Sequence, residues 1–245
     1  MQTQNHYIQL ETPTGPMQAQ VFRPQQEGAF PAIIFYSEIF QITAPIARSA
    51  NLMAGLGFVV VVPEVFHELN PMGTVLGYDD SGKDKGNNDK FEKPLEAHDD
   101  DTQSIIDFCS QQDYCTGKIG AMGVCLGGHL AFRAAINPAI KSAFCLYATD
   151  IHSGAIPSQE GNDTLSRSSE IKGEVFMVFG KQDPHVPAEG RLKLYSIFLT
   201  SGLNYQWLEL NAVHAFMRDE GDRYDPALAL EMYGRARDFF LGNLG

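Results

Sequence analysis

The chain has 245 residues, of which 44% are hydrophobic and 20% are charged. These fractions are close to those of average globular proteins and exclude a disordered or fibrous chain. The formal net charge of −12 argues against a nucleic-acid partner, because an acidic surface repels phosphate backbones. The longest unbroken apolar run, Phe58–Val62, is far too short to span a membrane, so we expect no membrane partner.

The N-terminal residues show no basic region followed by an apolar stretch, so we expect no signal peptide. The four cysteines, Cys109, Cys115, Cys125 and Cys145, form no C-x-x-C pair. Reduced thiols are typical of a chain of this size that lacks a secretion signal. We therefore expect a cytoplasmic protein. An acidic surface argues only weakly against self-association, so we expect a monomer or a weak homodimer.

Short apolar runs alternate with helical patterns along the chain. The segments Tyr7–Leu10 and Met17–Phe22 predict an antiparallel hairpin at the edge of a sheet. Continuous apolar runs follow, which are typical of parallel strands covered on both faces. These predicted strands are Ala32–Tyr36, Phe58–Val62, Lys118–Gly123, Ser142–Tyr147, Val175–Phe179 and, as an alternating edge strand, Tyr205–Leu210.

Helical patterns separate the predicted strands. Terminators such as Gly57, Pro138 and Gly202 follow three of them. The alternation of strands and helices predicts one doubly wound α/β domain over residues 1–245, with a mostly parallel sheet and helices on both faces. The predicted helices are Pro45–Leu56, His98–Gln111, Gly128–Ile136, Ala188–Thr200 and Pro226–Leu241.

A polar segment, residues 66–95, interrupts this alternation. Structureless loops of this length are uncommon in compact domains and often serve as lids or binding loops, so we predict a polar loop or lid insertion. A plain disordered insertion is the alternative. The acidic run Asp99–Asp101 follows, and we interpret it as carboxylates in the first turn of a helix rather than as a metal site.

The strongest local motif is Gly123-Val124-Cys125-Leu126-Gly127-Gly128, which lies between a predicted strand and a predicted helix. A nucleophile at the centre of such a motif stands on a tight turn above the sheet, and small flanking residues let the backbone fold sharply. The helix N-terminus favours a thiolate at Cys125, and the N–H of Leu126 faces a developing oxyanion. A buried structural cysteine is the alternative.

A nucleophile of this kind needs a base and a group that orients the base. Asp183 follows the predicted strand Val175–Phe179, and His214 follows Tyr205–Leu210. Nucleophile, acid and histidine thus occur in the order typical of α/β-hydrolases. All three fall at the carboxyl edge of a parallel sheet, where such folds place their sites. The pattern predicts a triad of Cys125, His214 and Asp183 in an α/β-hydrolase fold.

The chain resembles the dienelactone hydrolase family of α/β-hydrolases from about Met17 to its end. The resemblance is carried by Ser37-Glu38-Ile39-Phe40, by the cysteine motif, by Gly180-Lys181-Gln182-Asp183, and by His214-Ala215-Phe216-Met217-Arg218. The family hydrolyses enol-lactones such as carboxymethylenebutenolides to the open keto acid. The resemblance implies a hydrolase of a small-molecule ester or lactone, without metal or cofactor.

Further roles are implied by this resemblance, residue by residue. Glu38 matches a carboxylate that contacts the cysteine and takes its proton when substrate arrives, which keeps the resting thiol protected from oxidation. Ile39 matches the donor of a second oxyanion N–H beside that of Leu126. Arg218 matches an arginine that binds the substrate carboxylate through its planar guanidinium.

One departure from the family pattern concerns substrate charge. The family has a second carboxylate-binding arginine before the nucleophile, but residues 66–98 contain no arginine. Lysine supplies a point charge without bidentate geometry, so acceptance of an anionic lactone is in question. His67 lines the pocket or is an exposed loop residue. The cations of the segment are Lys83, Lys85, Lys90 and Lys93.

Two other functions remain open at this stage. A glutamine amidotransferase also places a cysteine on such a turn, but it usually pairs the cysteine with a His-x-Glu segment that His214-Ala215-Phe216 lacks. A non-catalytic ligand-binding protein that retains the α/β-hydrolase fold is the other alternative, because a fold alone proves no activity.

Overall fold

The computed structural model describes residues 1–245 and contains eight strands and six α-helices. No helix is long and apolar enough to cross a membrane. The strands are β1 (Thr3–Thr12), β2 (Gly15–Pro24), β3 (Phe30–Tyr36), β4 (Val59–Pro63), β5 (Cys115–Val124), β6 (Ile140–Leu146), β7 (Glu174–Gly180) and β8 (Asn204–Leu210). The helices are α1 (Ala44–Gly55), α2 (Asp80–Glu92), α3 (Leu95–Ser110), α4 (Leu126–Ala134), α5 (Ala188–Ser201) and α6 (Pro226–Leu244).

All eight strands form one sheet in the order β1-β2-β4-β3-β5-β6-β7-β8. Strand β2 pairs antiparallel with both β1 and β4, and every other pairing is parallel. The predicted N-terminal hairpin, the mostly parallel sheet and the edge position of β8 are therefore confirmed.

Both faces of the sheet are covered by helices. In β3, Ala32 and Ile34 belong to one apolar core, whereas Ile33 and Phe35 belong to the other. Helices α3, α4 and α5 pack on the first face, and α1 and α6 pack on the second. This double burial explains the continuous apolar runs, because successive strand residues point to opposite faces and all of them lose contact with water.

The polar segment 66–95 is not a structureless loop, because it contains the thirteen-residue helix α2. Asp79 caps its first turn by accepting a hydrogen bond from the Gly82 N–H at 2.8 Å. The helix buries little apolar side-chain surface and approaches neighbouring backbone through glycines instead. A Cβ atom at Gly86 would lie 2.5 Å from the carbonyl oxygen of Ile39.

The position predicted for the acidic run Asp99–Asp101 is wrong by one turn. Helix α3 begins at Leu95, three residues before the predicted start, so Glu96 is the acid of its first turn. Asp99 accepts hydrogen bonds from Arg133 at 2.7 and 2.8 Å instead. The Asp99 carboxylate is therefore stabilised by its pairing with Arg133 and not by the helix dipole.

Candidate active site

Cys125 stands on a sharp turn between β5 and α4. Its backbone angles, φ 58° and ψ −122°, lie in a region that non-glycine residues rarely occupy. A Cβ atom at Gly123 would lie 1.9 Å from the Gly127 carbonyl oxygen, and one at Gly127 would lie 2.0 Å from that of Tyr36. The two glycines are therefore required for the turn that exposes the thiol above the sheet.

His214 and Asp183 approach this turn from two neighbouring loops. Asp183 follows β7 and His214 follows β8, and Asp183 Oδ2 accepts a hydrogen bond from His214 Nδ1 at 2.7 Å. The other oxygen of Asp183 accepts one from the backbone N–H of His185 at 2.8 Å. The Cys125 side chain lines the same cavity as His214 and lies close enough to raise the pKa of the imidazole. The parallel sheet thus brings together three residues that are far apart in sequence.

The surroundings of His214 favour its protonated form. Burial by itself would lower the pKa of His214, but the neighbouring Cys125 sulfur and the Asp183 carboxylate raise it to about 10. Side-chain exposure is only 6% for His214 and 1% for Asp183, so little water screens this pair. The geometry can hold an imidazolium beside a thiolate and fix the imidazole tautomer through Asp183.

Glu38 follows β3 and belongs to a second buried polar group. Its Oε1 accepts a hydrogen bond from the Tyr78 hydroxyl at 2.7 Å, and its Oε2 lies 3.9 Å from an Arg218 nitrogen. The Arg218 guanidinium stacks 4.2 Å from the centre of the Tyr78 ring. Burial raises the pKa of Glu38, which makes its carboxylate a better proton acceptor.

Two backbone N–H groups have the placement that an oxyanion hole requires. Leu126 is the first residue of α4, where N–H groups have no intrahelical acceptor. The N–H of Ile39 forms no hydrogen bond to a backbone carbonyl, and Ile39 lines the same cavity as Cys125. These N–H groups are candidates for stabilising negative charge on a carbonyl oxygen.

A cavity of about 570 Å³ connects these groups. Its wall includes residues of the Cys125–His214 pair, of the group around Glu38, and of helix α2. Among its lining residues are Glu38, Ile39, Tyr78, Lys83, Lys90, Cys125, Asp150, His185, His214, Arg218 and Arg223. The volume suits a small organic molecule.

The sequence of this chain matches the model of one protein family, described as the dienelactone hydrolase family, over residues 17–243. The chain belongs to the dienelactone hydrolase family. Members of this family are hydrolases of ester or lactone bonds, as the sequence motifs predict. The predicted resemblance is confirmed.

Named relatives agree with this membership. A Saccharomyces cerevisiae protein, provisionally assigned as a carboxymethylenebutenolidase, is 40% identical over 85% of this chain and 78% of its own length. The carboxymethylenebutenolidase of Pseudomonas putida is 27% identical over 85% of this chain and 84% of its own length.

A solved structure shares the fold of this dienelactone hydrolase family member. It is a Klebsiella pneumoniae protein provisionally assigned as a dienelactone hydrolase. The two chains superpose with a TM-score of 0.85 at 18% identity, covering 98% of this chain and 99% of the other.

His67 is not among the residues that line the cavity, and its side chain is not exposed either. Its Nε2 lies 3.0 Å from Asp101 and 3.2 Å from Glu68, with the ring side chain only 2% exposed. The Lys93 ammonium contacts the same two acids at 2.5 and 2.8 Å. The ligand atoms of His67, Glu68 and Asp101 are close enough together to hold a metal ion. The Lys93 ammonium, however, already supplies positive charge to the two acids.

Tyr78 and Arg223 were not found from the sequence as cavity residues, whereas Lys83 and Lys90 were named there only as cations of the polar segment. Tyr78, Lys83 and Lys90 come from the segment read as a loop, and Arg223 lies in the long connection after His214. The N-cap signal at Asp79 could have indicated a helix there. No local pattern marks Arg223, since tertiary folding alone brings its loop to the cavity.

Proposed function

We propose that the protein hydrolyses an ester or lactone bond of a small molecule, with Cys125 as nucleophile, His214 as proton-transfer group and Asp183 as its partner. One observation carries the proposal: a cysteine on a strained turn shares a cavity with an imidazole that Asp183 anchors through a 2.7 Å hydrogen bond. The names of the yeast and Pseudomonas relatives support a dienelactone-type substrate, a carboxymethylenebutenolide.

Thiol activation is the first step of the proposed mechanism. Before substrate binds, the thiol is protonated and Glu38 is an anion held by Tyr78. When substrate arrives, the thiol proton passes to Glu38, whose raised pKa favours this transfer. The thiolate then stands beside the His214 imidazolium. A thiol that ionises only with substrate present is protected from oxidation.

Acyl transfer and hydrolysis follow. The Cys125 sulfur attacks the carbonyl carbon, and the N–H groups of Ile39 and Leu126 stabilise the oxyanion. The carbon–oxygen bond breaks as His214 gives its proton to the leaving oxygen. Neutral His214 then takes a proton from water, and the water oxygen attacks the thioester carbon. The carbon–sulfur bond breaks, which releases the acid and leaves Cys125 as a thiolate. Glu38 returns its proton to the sulfur, and the starting state is restored.

Arg218 supports an anionic acyl group in this proposal. Its side chain is 15% exposed, and stacking on Tyr78 holds the planar guanidinium at the cavity wall. The family's second arginine has no counterpart before the nucleophile, but Lys83 and Lys90 of α2 contribute positive charge to the same cavity. Charge attraction by these lysines lacks the bidentate geometry that a second arginine would add.

The proposal is tested with a panel of neutral and acidic esters and lactones. We expect Cys125→Ala to lose at least about 10³-fold in kcat/KM on the best substrate, since no other group can form the thioester. Cys115→Ala is the matched control, because this half-buried thiol lies at the opposite end of β5.

Retention of wild-type kcat/KM by Cys125→Ala would rule out the cysteine mechanism. A wild-type protein that binds members of the panel and hydrolyses none would instead favour the non-catalytic alternative. Mass spectrometry of Cys125 after mixing with a slow ester gives an independent readout, since the thioester adds the acyl mass to this residue.

A further inference from the structure

The cavity is lined by four lysine and arginine side chains, and three of them already have acidic neighbours. Lys83 pairs with Asp80 at 2.7 Å, and Lys90 pairs with Asp150 at 3.0 Å. Arg218 lies 3.9 Å from Glu38. Arg223 is the fourth cation of the cavity wall, and no carboxylate oxygen lies within 4.0 Å of its guanidinium.

Arg223 lies on the same connection, between β8 and α6, that carries His214 and Arg218. Its side chain is exposed, yet its positive charge affects the pKa values of Glu38 and His185 in the cavity. Burial raises the pKa of Glu38, and Arg223 is among the positive groups that oppose this rise. Burial also lowers the pKa of His185, and Arg223 adds to the effect. Its guanidinium lines the cavity without a carboxylate partner within 4.0 Å.

Arg218 is less available for recognising a distant part of a ligand. Besides its approach to Glu38, it stacks on Tyr78 and donates a hydrogen bond from Nε to the Glu220 carbonyl at 3.2 Å. These contacts fix Arg218 near the reaction centre. A guanidinium with all of its donors unused can instead receive an incoming carboxylate in bidentate geometry.

We propose that Arg223 is a specificity-determining residue that binds a carboxylate of the substrate, in addition to the contact proposed for Arg218. The inference rests on the proposed hydrolase function and adds a residue of this chain to it. The overall charge of −12 means that the protein surface as a whole repels anionic substrates, and a cation at the cavity opposes this repulsion locally. Screening limits this repulsion to about 8–10 Å at physiological ionic strength, so a cation in the cavity wall acts strongly on a ligand only within that distance.

The test compares two esters of similar length. 4-Nitrophenyl hydrogen succinate carries a carboxylate, and 4-nitrophenyl butanoate does not. We expect Arg223→Gln to raise KM for the succinate ester about tenfold with little change in kcat, and to leave the butanoate ester unaffected, since only a charged hydrogen bond is removed. Arg223→Lys should retain part of the preference, because charge remains while the bidentate fork is lost.

Arg235→Gln is the matched control, since this half-exposed arginine of α6 pairs with Glu231 away from the cavity. It should leave both esters unchanged. An equal change for the two esters in Arg223→Gln, or no change for either, would overturn the inference.

A binding measurement separates this inference from the hydrolase proposal. Calorimetric titration with succinate needs no turnover, and we expect Arg223→Gln to weaken succinate binding about tenfold relative to the wild type. Equal binding by both proteins, or no binding by the wild type, would refute the role of Arg223. Failure of Cys125 chemistry alone would leave this result unchanged.

Discussion

The charge of His214 depends on the groups on either side of its ring. Cys125 and Asp183 together raise the pKa of His214 to about 10 against the opposing effect of burial. The imidazolium is the protonated form, so it is present below this pH and lost above it. If His214 donates a proton to the leaving oxygen, kcat must fall as pH rises through about 10.

Asp183→Asn tests this dependence. The variant keeps the shape of the side chain but removes a negative charge, so we expect kcat to drop by about 10³–10⁴-fold. We also expect the alkaline limb of the pH–rate profile to move to lower pH, because a charge that raises the pKa of His214 is gone. Asp238→Asn, on the exposed side of α6, serves as control. An unshifted alkaline limb would contradict the assignment.

Tyr78 connects Glu38 to Arg218 through a hydrogen bond and a stacked ring. Tyr78→Phe keeps the stack and removes the hydroxyl, which leaves a buried carboxylate oxygen with one partner fewer. We expect a loss of stability of about 1 kcal/mol and a higher pKa for Glu38, which disturbs proton transfer from the thiol. Urea unfolding and the acid limb of kcat/KM measure these effects.

Tyr224→Phe is the matched control for this substitution, because Tyr224 is 39% exposed. If Tyr78→Phe and Tyr224→Phe gave the same pH–rate profile, the role of the Tyr78 hydroxyl at Glu38 would be refuted.

Helix α2 is the element that the sequence pattern missed. A helix is usually recognised from apolar side chains on one face, but the buried residues of α2 are Gly82, Gly86, Asp89 and Lys90. Glycines let its backbone approach Ile39 closely, and that contact is visible only once the chain is folded. The strands, by contrast, were predictable, because burial on both faces requires apolar runs such as Val59–Val62.

Gly86→Ala tests the contact between α2 and the proposed oxyanion site. The new methyl group would lie 2.5 Å from the Ile39 carbonyl oxygen, and backbone cannot move as freely as a side chain. We expect a destabilisation of about 1–3 kcal/mol together with a lower kcat, because the Ile39 peptide is displaced. Thermal unfolding and steady-state kinetics measure the two effects.

Gly234→Ala provides a matched control in another helix. A Cβ atom at Gly234 would meet nothing within 4 Å, so this change should stabilise α6 by about 0.5–1 kcal/mol without affecting kcat. The same gain in Gly86→Ala would mean that α2 does not hold Ile39 in place.

The topology of the sheet explains why the relative positions of the motif residues could be predicted from sequence, whereas those of the cavity wall could not. Cys125, Asp183 and His214 each follow a parallel strand, and strand order alone brings such positions to one edge of the sheet. Arg223 reaches the cavity through a long connection without secondary structure. The contacts of His67 could not be predicted, because its acidic partners, Glu68 and Asp101, come together only in the folded protein.

The stability of the whole molecule depends on pH through His129, which lies in helix α4, the helix that begins directly after Cys125. All nine residues of α4 are buried, and His129 bonds the Thr149 carbonyl at 2.9 Å and the Thr164 hydroxyl at 2.7 Å. Burial lowers the pKa of His129 from 6.5 to about 4. The unfolded chain therefore takes up this proton first, and stability is lost as pH falls from about 6.5 towards 4.

His129→Gln removes this titration from the protein. We expect the variant to be less stable at pH 7 by about 1–3 kcal/mol, because its buried hydrogen bonds are disturbed. Between pH 7 and pH 5, however, it should lose about 2 kcal/mol less stability than the wild type, since no proton uptake by residue 129 favours the unfolded state. His6→Gln on the exposed strand β1 is the control, and urea unfolding at the two pH values gives the difference. Equal losses of stability by the wild type and His129→Gln over this interval would contradict the prediction. His129 would then not be the buried neutral group that makes the free energy of unfolding depend on pH.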